Sequence, residues 1–201
     1  QTAIITWAMR TGDTEFTSAV VDFITLAEAR MNRTLRISDM ETTTTLTPTA
    51  NVCTLPADYL ELRNATAITS PRVPMFQITR DDLTEAETGA SAADPRFYTL
   101  RGLSLKLVPS GTHTVFVEYY KKIPALTGGS PTNFLLTKAP EIYLFGSLLE
   151  AAPFMMDDPR LAVWGQMYER AVAALVAADK LARFGARSTI ATAPAQPMQG
   201  G

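Results

Sequence analysis

Large apolar residues recur at helical spacing near both ends of the chain and at alternating spacing in between. Phe16, Val20, Phe23, Ala27 and Met31, with Leu35 one turn on, predict an amphipathic helix over 14–35. Asp13 or Thr14 can cap it, Glu15 lies in its first turn, and Arg30 and Arg33 fall towards the end where the helix dipole favours cations. Ile142, Phe145, Leu148 and Leu149 define a second helical face, with Thr137 as its expected cap, Pro140 in its first turn and Pro153 kinking or ending it. Asp158 and Pro159 open a third helix, whose stripe is Leu161, Trp164, Tyr168, Val172, Leu175 and Leu181 and whose stop is Gly185. The segment from Ile4 to Arg10 fits either a helix or a strand.

Between these ends the pattern is that of strands. Met40 to Thr47 is rich in β-branched residues, and Asn51 to Leu55 reads as its return strand. Leu62 to Ile68 and Val73 to Ile78 are weaker strands, and Thr79 to Glu87 reads as a short helix. Phe97 to Leu100, Leu103 to Val108 and His113 to Lys121 read as a three-stranded meander. The last of these has Val115, Val117 and Tyr119 on one face and Phe116, Glu118 and Tyr120 on the other, so both faces should be covered. The expected fold is therefore α+β and mainly α. A helical bundle of 1–37 and 134–185 carries a β-rich meander insertion at 38–127, all in one domain of 1–185. Residues 186–201 hold few large apolar groups and should form a flexible tail that orders on docking.

Composition adds exclusions. The 46% hydrophobic and 19% charged content is that of an ordinary folded chain, and 201 residues can bury a sizeable core. Lys and Arg number 18 against 20 Asp and Glu, which leaves no large basic field for nucleic-acid phosphates. Cys53 is the single cysteine, so no internal disulfide can form and a reducing site of assembly is the simpler reading. No charge-free apolar run reaches the length of a membrane span, and Gln1 to Trp7 lacks the basic and apolar regions of a signal peptide.

No catalytic constellation stands out, so an enzyme, a metal site and a cofactor are not expected. Asp157-Asp158 could take a divalent cation, but a cap with a dipole complement is the plainer reading. Asp81, Asp82, Glu85 and Glu87 read as a solvated helical turn, His113 as a polar strand residue and Cys53 as a small buried hydrophobe. Gly128-Gly129-Ser130 lacks the Lys-Ser/Thr of a phosphate loop. The remaining candidates are contacts. Glu28, Arg30 and Arg33 lie on the polar face of the first long helix, as solvated charges or as partners of a neighbouring subunit. Arg183, Phe184 and Arg187, with Ile190 in the adjoining tail, suit an anchoring interface.

Six blocks taken together are similar to a known family. They are 22–33 (DFITLAEARMNR), 55–63 (LPADYLELR), 118–126 (EYYKKIPAL), 133–136 (NFLL), 150–154 (EAAPF) and 157–161 (DDPRL). In that order they span most of 16–185, and the chain resembles the head-to-tail adaptor proteins of tailed bacteriophages. The resemblance implies a helical bundle with a β-rich insertion and a structural virion role. It further implies a ring of copies, usually dodecameric, that docks under the portal protein, extends the DNA channel and offers a platform to a tail or nozzle protein. DNA would pass without specific binding, no membrane would be involved, and the site would be the head–tail junction of a virion assembled in the host cytoplasm. The competing reading is a receptor- or glycan-binding β module of a phage tail, with Tyr98, Tyr119 and Tyr120 as aromatic platforms.

Overall fold

The structure, a computed structural model, describes residues 1–79, 94–109, 113–155 and 158–184. The expectations for the tail at 186–201, for Gly185, for Asp157 and for the turn holding Asp81, Asp82, Glu85 and Glu87 lie outside these residues.

Helix α1 (Thr2–Trp7) resolves the open reading of the first segment. Helix α2 (Thr14–Thr34) begins at Asp13, whose side chain accepts the Phe16 N–H, and buries Phe16, Val20, Phe23, Ala27, Glu28 and Met31. Asn133, not Thr137, caps the next helical segment by accepting the Leu136 N–H; it opens the short α3 (Phe134–Lys138). The chain re-initiates as α4 (Pro140–Glu150), with Pro140 in the first turn where its missing N–H costs nothing. Pro153 sits in a one-turn α5 (Ala152–Met155), past the end of α4. The last helix, α6 (Arg160–Phe184), buries Trp164, Tyr168, Ala171 and Leu175, whereas Leu181 is exposed.

Eight strands are described: β1 (Glu41–Leu46), β2 (Val52–Thr54), β3 (Tyr59–Ala67), β4 (Val73–Pro74), β5 (Phe76–Gln77), β6 (Phe97–Arg101), β7 (Ser104–Val108) and β8 (Val115–Lys121). They form two four-stranded sheets, ordered β1-β8-β3-β4 and β2-β7-β6-β5. The two face each other around a shared core that holds Leu46, Ala65, Val115, Val117 and Tyr119 from one sheet and Cys53, Tyr98, Leu105 and Leu107 from the other.

This architecture corrects the expected fold. The protein is not a helical bundle carrying an insertion. Among the described residues only α2, α4 and α6 reach seven residues, and the strands build a sandwich with a core of its own. Nor is there a three-stranded meander. Strands β6 and β7 form a hairpin, with Gly102 at φ +59° in the first central position as a II′ turn requires. Strand β8 then crosses to the other sheet and pairs with β1 and β3. In the same way β2 does not return along β1. The chain reverses at Ala50 and Asn51, Thr49 and Val52 make one bridge, and β2 departs to pair with β7. Apolar alternation marks which residues face a core; it does not say which strand lies alongside.

The helices form a layer in which α4 packs against both α2 and α6. Gly146 marks the closest approach. A Cβ there would stand 3.2 Å from Met31 Cε and from Tyr168 Cε2, and 3.5 Å from Ala27 Cβ. Ile37, Met40, Ile123, Leu60 and Tyr120 carry the helical core onto the outer face of the first sheet. That accounts for the aromatics on both faces of β8. Tyr119 enters the sandwich, and Tyr120 meets the helices.

Candidate functional site

The junction of helices and sandwich is where the polar candidates gather. Ser38, in a 3-10 turn (Ser38–Met40) between α2 and β1, donates both its backbone N–H (2.9 Å) and its hydroxyl to Asp179 Oδ1. Asp179 Oδ2 in turn accepts from Arg183 Nε at 2.9 Å, one turn further along α6. Arg183 Nη2 then meets Glu41 Oε1 at 2.5 Å, and Arg63 Nη1 meets Glu41 Oε2 at 2.5 Å. The Arg63 and Arg36 guanidiniums lie over the Tyr120 ring, 5.5 and 5.9 Å from its centre, and Arg36 also pairs with Glu61 at 2.7 Å. Burial pushes the Asp179 carboxyl up, but the two Ser38 hydrogen bonds and the Arg183 charge outweigh it and hold it below the usual range. Arg183 thus fastens the last turn of α6 to the first residue of β1.

Glu28 is not a solvated residue of the polar face. It is buried, and its Oε1 accepts the Leu126 N–H (2.8 Å) and the Tyr143 hydroxyl (3.2 Å). One turn on, Asn32 Oδ1 accepts the Ile123 N–H at 2.8 Å. Asn133 donates to Pro124 O (2.7 Å) and to the Tyr143 hydroxyl oxygen (2.6 Å). Together these groups strap the linker from β8 to α3 onto α2. Burial raises the Glu28 carboxyl above its ordinary range, only partly opposed by the two hydrogen bonds it accepts, and burial likewise raises the Tyr143 hydroxyl.

Arg30 pairs with Glu150 at 2.6 Å and so ties α2 to α4, while Arg33 is exposed. Phe184 is the last residue of α6; Arg187 and Ile190 lie outside the described residues. Asp158 pairs with Arg160, which holds its carboxyl below the usual range, and accepts the Arg160 backbone N–H at 2.9 Å. Arg160 also reaches the Trp7 and Ala8 carbonyls and lies 5.0 Å over the Trp164 ring, so this corner joins α1 to α6. Cys53 is fully buried in the sandwich, and burial raises its thiol to about 11, which leaves it unreactive at neutral pH. His113 sits 3.1 Å from Asp94. Among the described residues no three His, Cys, Asp or Glu side chains gather as a metal site, and no helix is long and apolar enough to cross a membrane.

Sequence reasoning missed Asp179, Glu41, Arg63 and Asn133. The i,i+4 spacing of Asp179 and Arg183 was a readable signal, as was Asn133 directly before an apolar run. Nothing local pointed to Glu41 or Arg63. The aromatic platform needed for a glycan module is not assembled. Tyr98 and Tyr119 are buried in the sandwich, with the Tyr119 hydroxyl donating to Asp58, and Tyr120 lies against the helical layer beneath two guanidiniums.

The outward side of α6 mixes polar residues (Gln166, Glu169, Arg170 and Lys180) with apolar ones. Val163, Met167 and Leu181 are exposed, with Ala174 and Ala177 on the same face at alternating steps of three and four residues. The family model of the SU10 adaptor proteins matches residues 1–193. The chain belongs to the SU10 adaptor protein family. Membership bears out the resemblance to phage head-to-tail adaptors and gives the chain the structural role of a phage adaptor. None of the curated proteins matches it.

Proposed function

We propose that this chain forms a homo-oligomeric ring, dodecameric by analogy with the family resemblance, which docks under the portal, extends the DNA channel and carries the next tail component. The observation that supports this best is that three large apolar residues of α6, a helix of 25 residues, are exposed: Val163, Met167 and Leu181 at 49%, 38% and 65%. A neighbouring copy that covered them would close head to tail by rotation. Arg33, and the stretch holding Phe184, Arg187 and Ile190, are the proposed contacts with portal or subunit. Deleting 186–201 is expected to leave a folded subunit that no longer joins the portal. The net charge of −2 fits a channel through which DNA slides without sticking. Assembly would take place in the host cytoplasm, and the product would sit at the head–tail junction of the virion.

The deciding measurement is the mass of the native species with and without portal protein. A closed ring in either sample, lost in a Met167→Glu, Leu181→Glu variant whose monomer stays folded, supports the reading. A monomer in both samples overturns it. Tight, salt-sensitive affinity of the isolated protein for duplex DNA would overturn the channel part alone.

A further inference from the structure

We propose that the outward side of α2 in one copy of this chain packs against the outward side of α6 in the next, with Asp22 facing Arg170. This contact rests on the ring reading above and names the two faces that would close the ring. In the helical layer α4 packs against both α2 and α6, and every residue from Ile142 to Glu150 is buried or half-buried. The exposed side chains of the layer's two longest helices are therefore what a neighbour meets. Each helix already gives one stripe to the core, Phe16, Val20, Phe23, Ala27 and Met31 on α2 and Trp164, Tyr168, Ala171 and Leu175 on α6. Each also turns large apolar residues to solvent, Val21 and Leu26 on α2 and Val163, Met167 and Leu181 on α6. This second set serves no core of its own subunit.

Charge selects the occupant. A helix turns about 100° per residue, which puts Glu15, Ser18, Leu26 and Ala29 within about 40° of Asp22 on α2. By the same count Val163, Ala174, Ala177 and Leu181 lie within about 40° of Arg170 on α6. From Thr14 to Leu26 the charges of α2 are Glu15 and Asp22, both exposed, with neither lysine nor arginine among them. On α6 the exposed Arg170 stands in the middle of the stripe, and Lys180 and Glu169 share one flank, which leaves an excess of cation. Two α6 faces set together would double that excess, and two α2 faces would double the acidic one. One α2 face on one α6 face matches them. Ala174 and Ala177 keep the centre of the α6 stripe low, so a neighbouring helix can approach closely there, with Met167 and Leu181 standing on either side along the axis. A contact between unlike faces is the kind that generates a ring, whereas α6 on α6 would stop at a two-fold pair.

The test uses two full-length variants that each reverse one face, Asp22→Lys with Leu26→Lys on α2 and Arg170→Glu with Leu181→Glu on α6. All four positions are exposed, so each subunit is expected to keep the melting temperature of the parent. Native mass is the readout, under the conditions in which the parent assembles. Either variant alone is expected to reduce the assembled species at least tenfold, because it sets like charges together. An equimolar mixture is expected to recover it as oligomers that alternate the two masses, because every contact then joins opposite charges. Parent-like assembly of the α2 variant overturns the proposal, and if the α6 variant is impaired at the same time, α6 meets some other surface. A mixture of the two folded variants that stays monomeric overturns it as well. A parent that is monomeric with and without portal removes the ring reading and this contact with it, whereas rings that persist in the α2 variant remove this contact alone.

Discussion

Arg183 Nη2 lies 2.5 Å from Glu41 Oε1, so the end of the last helix and the start of the first strand are locked by one ion pair. The Arg183 and Glu41 side chains are 23% and 29% exposed, and Asp179 on the other side of the guanidinium is 6% exposed. Truncating Arg183 would therefore remove the cation facing Asp179 Oδ2 and Glu41 Oε1 in a poorly hydrated seam, leaving Asp179 to Ser38 and Glu41 to Arg63. Arg183→Ala is expected to lower unfolding stability by about 2 kcal/mol, below the range for a fully buried pair because the groups retain some water. Arg183→Lys should recover less than half, since a compact ammonium cannot address both carboxylates at once. Urea unfolding reads both; an unchanged midpoint in Arg183→Ala would remove the seam from the account.

The same seam sets an acid dependence. The Asp179 carboxyl is held below its ordinary range in the folded chain, so its stabilisation is present above that range, near 3.9 when unfolded, and is lost as pH falls through the lower folded value. Melting temperature should drop across this acid window in the parent chain and drop less in Asp179→Asn, which is less stable at pH 7. Parallel curves for the two proteins would contradict the assignment.

Glu28 acts in the opposite sense. Its carboxyl is raised by burial, so its contribution is largest below the unfolded value of roughly 4.3 and is lost as pH rises through the folded value. Glu28→Gln keeps an oxygen for the Leu126 N–H and the Tyr143 hydroxyl without a charge to desolvate. It should match or exceed the parent at pH 7 and lose that advantage near pH 4. Glu28→Ala leaves the Leu126 N–H without its acceptor and should cost about 1–3 kcal/mol at either pH. Thermal unfolding at the two pH values decides, and a Gln variant as damaged as the Ala variant would show that the charge itself is needed.

At Gly146 the helical layer has no room for a branched side chain. Gly146→Leu is expected to destabilise by about 3 kcal/mol through overpacking against Met31 and Tyr168. Gly146→Ala should fall within about 1 kcal/mol of the parent. The flexible Met31 end can shift by the few tenths of an ångström required, and alanine brings roughly 1 kcal/mol of helix propensity. Equal denaturation midpoints for the Leu variant and the parent would mean that the three helices do not meet here.

Much of this was readable along the chain, and what was not shares one cause. The stripe from Phe16 to Met31, the cap at Asp13, the early Pro140 and the corner at Asp158 are signals within a few residues, because helices are built from contacts three and four residues apart. Glu28 looked like a residue of a polar face because its own helix puts it near that face. Its burial is imposed by the 123–126 linker, which its periodicity cannot register. Arg183 read as a free anchor for the same reason, since Glu41 and Ser38 come to it from the far end of the chain.

By itself, then, the sequence determined the long helices, the rough positions of most strands, the double-sided character of β8 and the family. All of these are set by local period, by capping groups or by blocks of residues. Tertiary structure alone decided that the strands divide into two facing sheets, that β8 leaves β7 to join β1 and β3, and that an ion pair closes the seam between α6 and β1. A strand's alternation fixes which side is apolar but not its neighbour. Neighbours are chosen by which pairings bury all the apolar faces at once, and that is a property of the whole chain.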